Sequence, residues 1–549
     1  MLQTNYDPVK YATPTGSQLT CKGWIQEGAL RMLLNNLSPE VAQRYSKLIM
    51  YGGSPELSEQ FEDLDCIIAT LKVLENDETF LIHNGKPTGI IKTHTAAPRL
   101  LISNSQPVHN CTHWNHFDEL KKKGLMMYNQ MTPEAPMYIM SQAIVQGTYE
   151  TYADIAAQYF KGTLKGTLNV TAGLGSMGGA QPFSITTNEG VALIAEAEEE
   201  LIDKGIVSGW LDVKMTDIDK AIDQTLEAKA AGKAISIAVL CNAVHLLERI
   251  VARNIVPDTL TDQTSAHDPL TGYWAHEMSH EFAKVLRVQN PKQYMLYAES
   301  SIYRHAELML ELQGKGSITF DFGNNLLAKT KEHGLKNTFS GFVSHITRSL
   351  PGQDKGPFRW LALSGDANDI AAADALILHM FSENKSLVRW MKISKEKIAF
   401  QRLPSRICWL TQDERKEAGL AFNELVRTGK VKAPILVGCD HVDMDSSSSS
   451  SNHTAGWPIL NVLANTAGGA SWVSLYSQDN VSAGYNTLAG MVIMADGTDD
   501  AALRLNRILR NDPCKGVIRH VDAGYKRTVR ENKLDLNFII DGVAFTVDM

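Results

Sequence analysis

Apolar residues in GWIQEGALRMLLNNL (23–37) recur at helical spacing and predict an amphipathic helix there. The runs FLIH (80–83) and GIIKTH (89–94) read as short strands. From about residue 141 to 345 the rhythm changes. There GTLNVT (166–171), VALIAE (191–196) and AISIAVL (234–240) are compact apolar runs separated by helical segments, continued by DTLTD (258–262) and SITFDFG (317–323). Such alternation is what βαβ units and a parallel sheet require. After about residue 346 the pattern is irregular again, with strand-like WLALSG (360–365), RICWL (406–410) and ASWVSLY (470–476). The expected fold class is therefore α/β. A discontinuous core domain (1–140 and 346–549) is interrupted by a parallel-sheet nucleotide-binding domain (141–345).

A chain of 549 residues exceeds one ordinary hydrophobic core, in agreement with more than one domain. With 44% hydrophobic and 21% charged residues, the composition is that of a soluble globular protein. A net charge of −8 lacks the basic footprint that a nucleic acid or an anionic membrane surface would need. The seven cysteines are scattered without a Cys-x-x-Cys pair, unlike a disulfide framework or a cysteine zinc site. MLQTNYDPVK lacks the basic region followed by an apolar run that a signal peptide needs, so none is expected there, and no apolar stretch is long enough for a membrane span. These features lead us to expect a cytoplasmic protein acting on a small molecule. The serine run 446–451 reads as a polar loop.

The segment NVTAGLGSMGGAQP (169–182) carries Gly173, Gly175 and Gly178 in the G-x-G-x-x-G spacing. Glycine allows a tight turn at the first position, approach to a pyrophosphate at the second, and close packing at the third. The motif follows a strand, and a second strand ends in Glu196, 23 residues after Gly173. A carboxylate there accepts from ribose hydroxyls and repels a 2′-phosphate, which favours NAD over NADP. A glycine-rich turn with an unrelated acidic residue is the plain alternative. Pro182 predicts a short or offset helix after the loop.

Three other clusters carry candidate chemistry. TDQTSAHDP (261–269) lies just beyond a strand, where open α/β sheets bind ligands, although the same residues also make turns unaided. Cys408 sits among apolar neighbours and reads alone as a buried inert thiol. Arg406, two residues away on a strand, would share its face and could supply positive charge. CDHVDMD (439–445) offers Asp440 as a general acid. It lacks a second nearby histidine or any standard metal-ligand spacing, so we expect no metal.

Taken together, long segments of the chain resemble the urocanase family, from about residue 18 to residue 525. The resemblance rests on LTCKGWIQEGALRMLLNNL, YGG (51–53), LMMYNQMT (125–132), VQGTYET (145–151), TAGLGSMGGAQP, LTDQTSAHDP, KGPFRW (355–360), RICWL, GMVIMADGTD and RHVDAGY. It implies a homodimeric hydro-lyase in which an inserted Rossmann-like domain holds NAD+ as an electrophile that forms a transient adduct with an imidazole acrylate. The product would be an imidazolone propionate. It further implies cofactor contacts at Gly173, Gly175, Ser176, Met177, Gly178, Glu196, Asn242, Ala243, Gln263, His267 and Tyr273. Cys408 would be the essential cysteine, Asp440 the proton donor, and Tyr51, Thr132 and Arg359 pocket residues.

Departures from the family pattern gather around the implied pocket. The family's Gln-Ser-Gly-Lys-Pro reads HNGKP, introducing His83 and Asn84. PEAP (133–136) replaces Ala-Gly-Ser-Trp, and Phe322 stands where the family has tyrosine. The stretch after Asp443 is replaced by the serine run with Asn452 and His453, and a glycine-rich loop becomes YSQDNVSAG (476–484) with Gln478. Changed walls around a retained centre are how specificity moves. The favoured substrate is therefore a ring-substituted urocanate, either thiourocanate or an S- or N-methylated form. Ordinary urocanate is the alternative. An NAD-dependent dehydrogenase or an inactive NAD-binding sensor is a more distant one.

Overall fold

A computed structural model describes residues 9–38, 61–104, 119, 123, 141–175, 177–266, 268–321, 326, 340–341, 355–398, 400, 402–438, 456–477 and 487–522. The N-terminal part contributes β1 (Glu78–His83), β2 (Lys86–Lys92) and β3 (Leu100–Asn104). The middle contributes β4 (Leu168–Ala172), β5 (Val191–Glu196), β6 (Val213–Met215), β7 (Ile235–Leu240), β8 (Thr259–Leu260), β9 (Ile318–Asp321) and β10 (Ser340–Gly341). The C-terminal part adds β11 (Gly356–Ala362), β12 (Ser405–Leu410), β13 (Ile435–Gly438), β14 (Trp472–Ser477) and β15 (Thr487–Ala495). The chain divides into two compact units: residues 1–140, 349–387 and 399–549, and residues 141–348 with 388–398.

The first unit is built on an eight-stranded mixed sheet in the order β12-β11-β13-β15-β14-β3-β1-β2. Its two sequence halves are joined by the parallel pairing of β14 with β3, in which Trp472 lies opposite Leu100 and Ser474 opposite Ile102. The core is discontinuous in sequence for that reason: one sheet needs strands from both sides of the insertion. The helix Trp24–Asn35 covers one face, where Leu30, Leu33 and Leu34 join Leu361, Leu436, Trp472 and Met494 in a common apolar cluster.

A buried ion pair ties that helix to the chain around it. Arg31 Nε donates to Glu27 Oε1 at 2.8 Å, and both side chains are fully buried. The Arg31 guanidinium also donates to the carbonyls of Gly16, Gln18 and Leu363. The second Glu27 oxygen accepts from the backbone of Thr20 and Cys21 and from the Thr20 hydroxyl. Burial pushes the Glu27 carboxyl up, but the Arg31 and Thr20 hydrogen bonds outweigh it and hold the group below its ordinary value.

The inserted unit has a seven-stranded parallel sheet in the order β10-β9-β8-β4-β5-β7-β6. Val191, Leu193 and Ala195 of β5 enter one apolar cluster, while Ala192 and Ile194 enter another. The strand is thus buried on both faces, which explains why VALIAE reads as a continuous apolar run rather than an alternating one. Asn169 fixes the register from inside β4. Its amide donates to the Val191 carbonyl and its oxygen accepts from the Thr259 hydroxyl, linking three adjacent strands. The chain runs from β4 through β5 towards β7 on one side and from β8 through β9 to β10 on the other. Order therefore reverses between β4 and β8, the place where open α/β sheets leave a crevice at their carboxyl ends.

Among the strands expected from sequence, β5 matches its run end to end, the runs at 234–240, 258–262 and 317–323 each contain one strand, and β4 begins within 166–171 and ends one residue beyond it. β3, β6, β10, β13 and β15 were not anticipated. Pro182 sits in the first turn of an eight-residue helix, Ala180–Thr187, where a missing N–H is tolerated. Among the described residues, no helix is long and apolar enough to cross a membrane.

Replacing Arg31 with methionine should strand the Glu27 carboxylate in the core and cost about 3–5 kcal/mol. A thermal melt followed by circular dichroism should show a lowered midpoint for the transition that includes this unit. Because the Glu27 carboxyl is held below its ordinary value, its contribution is present above the normal carboxylate range and is lost as pH falls through the lowered pKa. Glu27→Gln should flatten that acid limb.

Candidate functional site

The glycine loop joins the end of β4 to the helix Ala180–Thr187 at the reversal point. Gly173 has φ +88°, and a Cβ there would lie 2.6 Å from the Gln263 carbonyl oxygen. Both the backbone conformation and the approach of the strand after β8 exclude a side chain. At Gly178 a Cβ would lie 2.2 Å from the Gly173 carbonyl oxygen, so the loop closes on itself there. Gly175 is different, because a Cβ would meet nothing within 4 Å. Two glycines thus make the turn and the third leaves its backbone open to a ligand.

The loop is anchored from beneath. Gln181, in the first turn of the helix, accepts at Oε1 from the Tyr152 hydroxyl at 2.8 Å and from the Thr261 hydroxyl at 3.0 Å. Across the cleft stands Glu196, the last residue of β5 and only 7% exposed. One carboxylate oxygen accepts from Leu174 N at 2.6 Å and the other from Glu198 N at 2.9 Å. Each oxygen keeps a lone pair for a further donor such as a ribose hydroxyl. Burial raises the Glu196 carboxyl above its ordinary value, against the lowering effect of those backbone donors.

The far wall is formed by the segment after β8. Asp262 is fully buried and accepts from the Thr264 N–H and hydroxyl, which shapes the turn at 262–264. Tyr273 is buried with its hydroxyl 3.0 Å from His305 Nδ1, while His305 Nε2 lies 3.9 Å from Asp262. Burial pushes His305 down to about 3, so the ring is neutral at physiological pH. The tautomer with its proton on Nε2, facing Asp262, lets Nδ1 accept the Tyr273 proton. Asn242 caps the helix Ala243–Ala252 through Oδ1 and donates through Nδ2 to the Trp274 carbonyl at 2.7 Å.

These elements enclose a cleft of about 540 Å³, counting its open mouth. Gly173, Gly175, Glu196, Asn242, Ala243, Gln263 and Tyr273 line it. Those candidates are thereby brought together, with Gly178 packed beneath the loop and Met177 exposed at its rim. The residues fit a dinucleotide: an open backbone at Gly175, a carboxylate with spare lone pairs at the end of the second strand, and a cleft at the switch point. Cys241 also lines the cleft, but burial, with the Glu196 charge, pushes its thiol up to about 12 and leaves it inert.

In the first unit Cys408 is 1% exposed on β12, opposite Phe358 of β11. Arg406 does share its side of the strand, but the expectation that it charges the thiol's surroundings needs correction. Its guanidinium pairs with the buried carboxylate of Asp374, which offsets that charge. Arg359 lies opposite Ile407, so the pleat directs it to the other face of the sheet from Cys408. His83 is exposed beside a two-residue hairpin turn. Asn84 (φ 49°) and Gly85 (φ 71°) supply the two left-handed residues that such a turn demands. Turn chemistry therefore accounts for Asn84 in the HNGKP departure, and nothing in the structure explains His83. Tyr51, Thr132, Ser176, His267, Phe322, Asp440, Asn452, His453 and Gln478 lie outside the described residues.

Sequence reasoning missed Glu198, Trp274 and His305. Glu198 follows Glu196 closely and Trp274 follows Tyr273, so proximity to expected contacts could have found both. His305 gave no local signal, because it reaches Tyr273 from a helix (Pro291–Gly314) more than one element away.

Three domain models of one family together match nearly the whole chain. They are the urocanase N-terminal domain over residues 11–139, the urocanase Rossmann-like domain over 140–346, and the urocanase C-terminal domain over 350–533.

The three glycines should respond differently to alanine. Gly173→Ala combines left-handed strain with a backbone overlap and should cost at least about 2 kcal/mol, lowering the melting midpoint. Gly175→Ala should leave that midpoint unchanged, because its Cβ enters open space. Equal melting of the two variants would contradict the division of labour read from the loop.

Proposed function

The chain belongs to the urocanase family, and on that premise we propose that it is an NAD+-dependent hydro-lyase that adds water to an imidazole acrylate. The observation that carries the reading is the cleft at the β4/β8 switch point, with Gly175 open on one side and Glu196 on the other, in a chain matched by all three domains of the family. NAD+, when bound, supplies an electron-poor nicotinamide ring towards which an electron-rich imidazole can release density. The open backbone at Gly175 and the start of the helix Ala180–Thr187 would receive the pyrophosphate. Glu196 would accept from ribose hydroxyls, and Tyr273, held by His305, would wall the cleft.

In this reading Cys408 is the essential cysteine beside the reacting ring. Asp440 delivers a proton to the side-chain carbon while water adds to the ring, and the oxygen remains as the carbonyl of an imidazolone propionate. The reaction is redox-neutral overall. Tyr51 and Thr132 are assigned to the substrate pocket; Arg359 drops out, because the pleat turns it to the opposite face of the sheet from Cys408. A homodimer in the cytoplasm belongs to the same proposal.

The favoured substrate is a ring-substituted urocanate, thiourocanate or an S- or N-methylated form. The support is the set of departures from the family at 133–136, Phe322, 446–453 and 476–484. The HNGKP departure no longer contributes, since Asn84 makes a hairpin turn and His83 is exposed beside it. Loss of ultraviolet absorbance with urocanate and its thio and methyl analogues tests the point, because hydration breaks the conjugation in each. We expect fast loss with one substituted compound and slow loss with urocanate. The reverse order would assign the protein to ordinary urocanate.

Two further outcomes follow from the residues. Cys408→Ala should abolish turnover while the purified protein still carries NAD+, as read by mass spectrometry after denaturation. Unchanged activity would sink the mechanism. Binding of NAD+ needs Glu196 ionised, and its pKa is raised, so affinity should fall on acidification at a pH above the ordinary carboxylate range. Calorimetric titration of the cofactor-free protein between about pH 8 and about pH 4 reads this, and Glu196→Gln should be weak and flat throughout.

A further inference from the structure

The cleft contains one aromatic ring that the reading above does not use. Trp274 is half-buried and shares the cleft lining with Glu196, Glu198 and Leu201. Its indole N–H donates to Glu198 Oε1 at 3.1 Å. The Arg287 guanidinium covers one face of the ring at 3.5 Å from its centroid, and His280 meets it edge-on at 3.8 Å.

The backbone beneath is pinned as firmly. The Tyr273 carbonyl accepts from Arg287 Nη2 at 2.6 Å and from the Tyr294 hydroxyl at 2.7 Å. The Trp274 carbonyl accepts from Asn242, and Ala275 N donates to the Tyr294 hydroxyl at 3.3 Å. An indole so fixed cannot swing aside when the cleft fills. It is a rigid wall with one face already occupied by a cation.

Position identifies what the wall meets. Glu198 follows β5, so Trp274 is tied to the β5–β7 side of the switch point, the side of Glu196. In a dinucleotide fold the carboxylate at the end of the second strand marks the ribose of the adenosine half. A flat apolar surface next to it suits a purine, since every base offers a π-face to an aromatic side chain.

We propose that Trp274 is the adenine-recognition residue of this cleft and stacks on the purine. Arg287 and Glu198 are its positioning residues, and Glu198 adds a second carboxylate charge against a 2′-phosphate. The inference rests on the dinucleotide reading above and deepens it.

The test uses the full-length protein, freed of any NAD+ it carries through purification, with NAD+, adenosine diphosphate ribose and nicotinamide mononucleotide as calorimetric ligands. Trp274→Leu should weaken NAD+ and adenosine diphosphate ribose by the same factor, about 10- to 100-fold, and leave nicotinamide mononucleotide unchanged. Trp274→Phe keeps an aromatic face and should retain most of the affinity. In the wild type, adenosine diphosphate ribose should quench indole emission, and Trp274→Phe should bind it without that quench. Glu198→Gln still accepts the indole proton at its amide oxygen. It should narrow the preference for NAD+ over NADP+.

A quench of equal amplitude in Trp274→Phe would overturn the proposal, as would unchanged adenosine diphosphate ribose affinity in Trp274→Leu. Wild-type protein that binds neither NAD+ nor adenosine diphosphate ribose would overturn the dinucleotide reading itself. Wild-type binding with indifferent Trp274 variants would overturn this inference alone.

Discussion

The backbone of Gly173 passes so close to the peptide joining Gln263 and Thr264 that no side chain fits between them. Most of the site depends on that approach. It brings the loop after β4 against the segment after β8, the two strands between which the sheet reverses its order. Gln181 repeats the link from below through Thr261, and Asp262 shapes the same turn from the far side. The cleft is thus a consequence of topology, with glycine supplying the clearance. Gly178 closes the loop on itself, so Gly175 is the position left facing open space.

Two buried glutamates show how partners, rather than burial, decide the state of a charge. Burial pushes both Glu27 and Glu196 towards the neutral form. Glu27 also meets a guanidinium and ends below its ordinary value, which suits a permanent structural tie. Among the described residues Glu196 meets backbone donors only and ends above it, which leaves a carboxylate whose charge a ligand's hydroxyls would stabilise. Burial likewise keeps His305 neutral behind Tyr273, even with Asp262 3.9 Å from its Nε2.

In the first unit the pleat of one strand pair sorts the candidates. Cys408, Arg406, Phe358 and Trp360 share one side, where Trp360 and Phe358 meet Phe422 and Arg406 meets Asp374. Arg359 and Ile407 share the other. A cysteine and an arginine that neighbour each other across paired strands are therefore not neighbours in space on one surface. Proximity in register is not proximity of side chains when parity differs.

Local patterns were enough to reveal the inserted parallel sheet. Strands buried on both faces leave continuous apolar runs, and β5 is delimited by its own run VALIAE. The glycine spacing with Glu196 disclosed the cleft for a similar reason, since each residue's role there is set by its own backbone. The family was legible from long motifs spread over most of the chain, and HNGKP was legible as a departure but not as a hairpin. Tertiary structure alone decided the rest. β3 and β13 are short runs that become strands because β14, β11 and β15 offer them partners. The pairing of Arg406 with Asp374, the support of Tyr273 by His305 and the clamp on Trp274 join residues from different elements. Such contacts are selected by packing, and no pattern along the sequence encodes them.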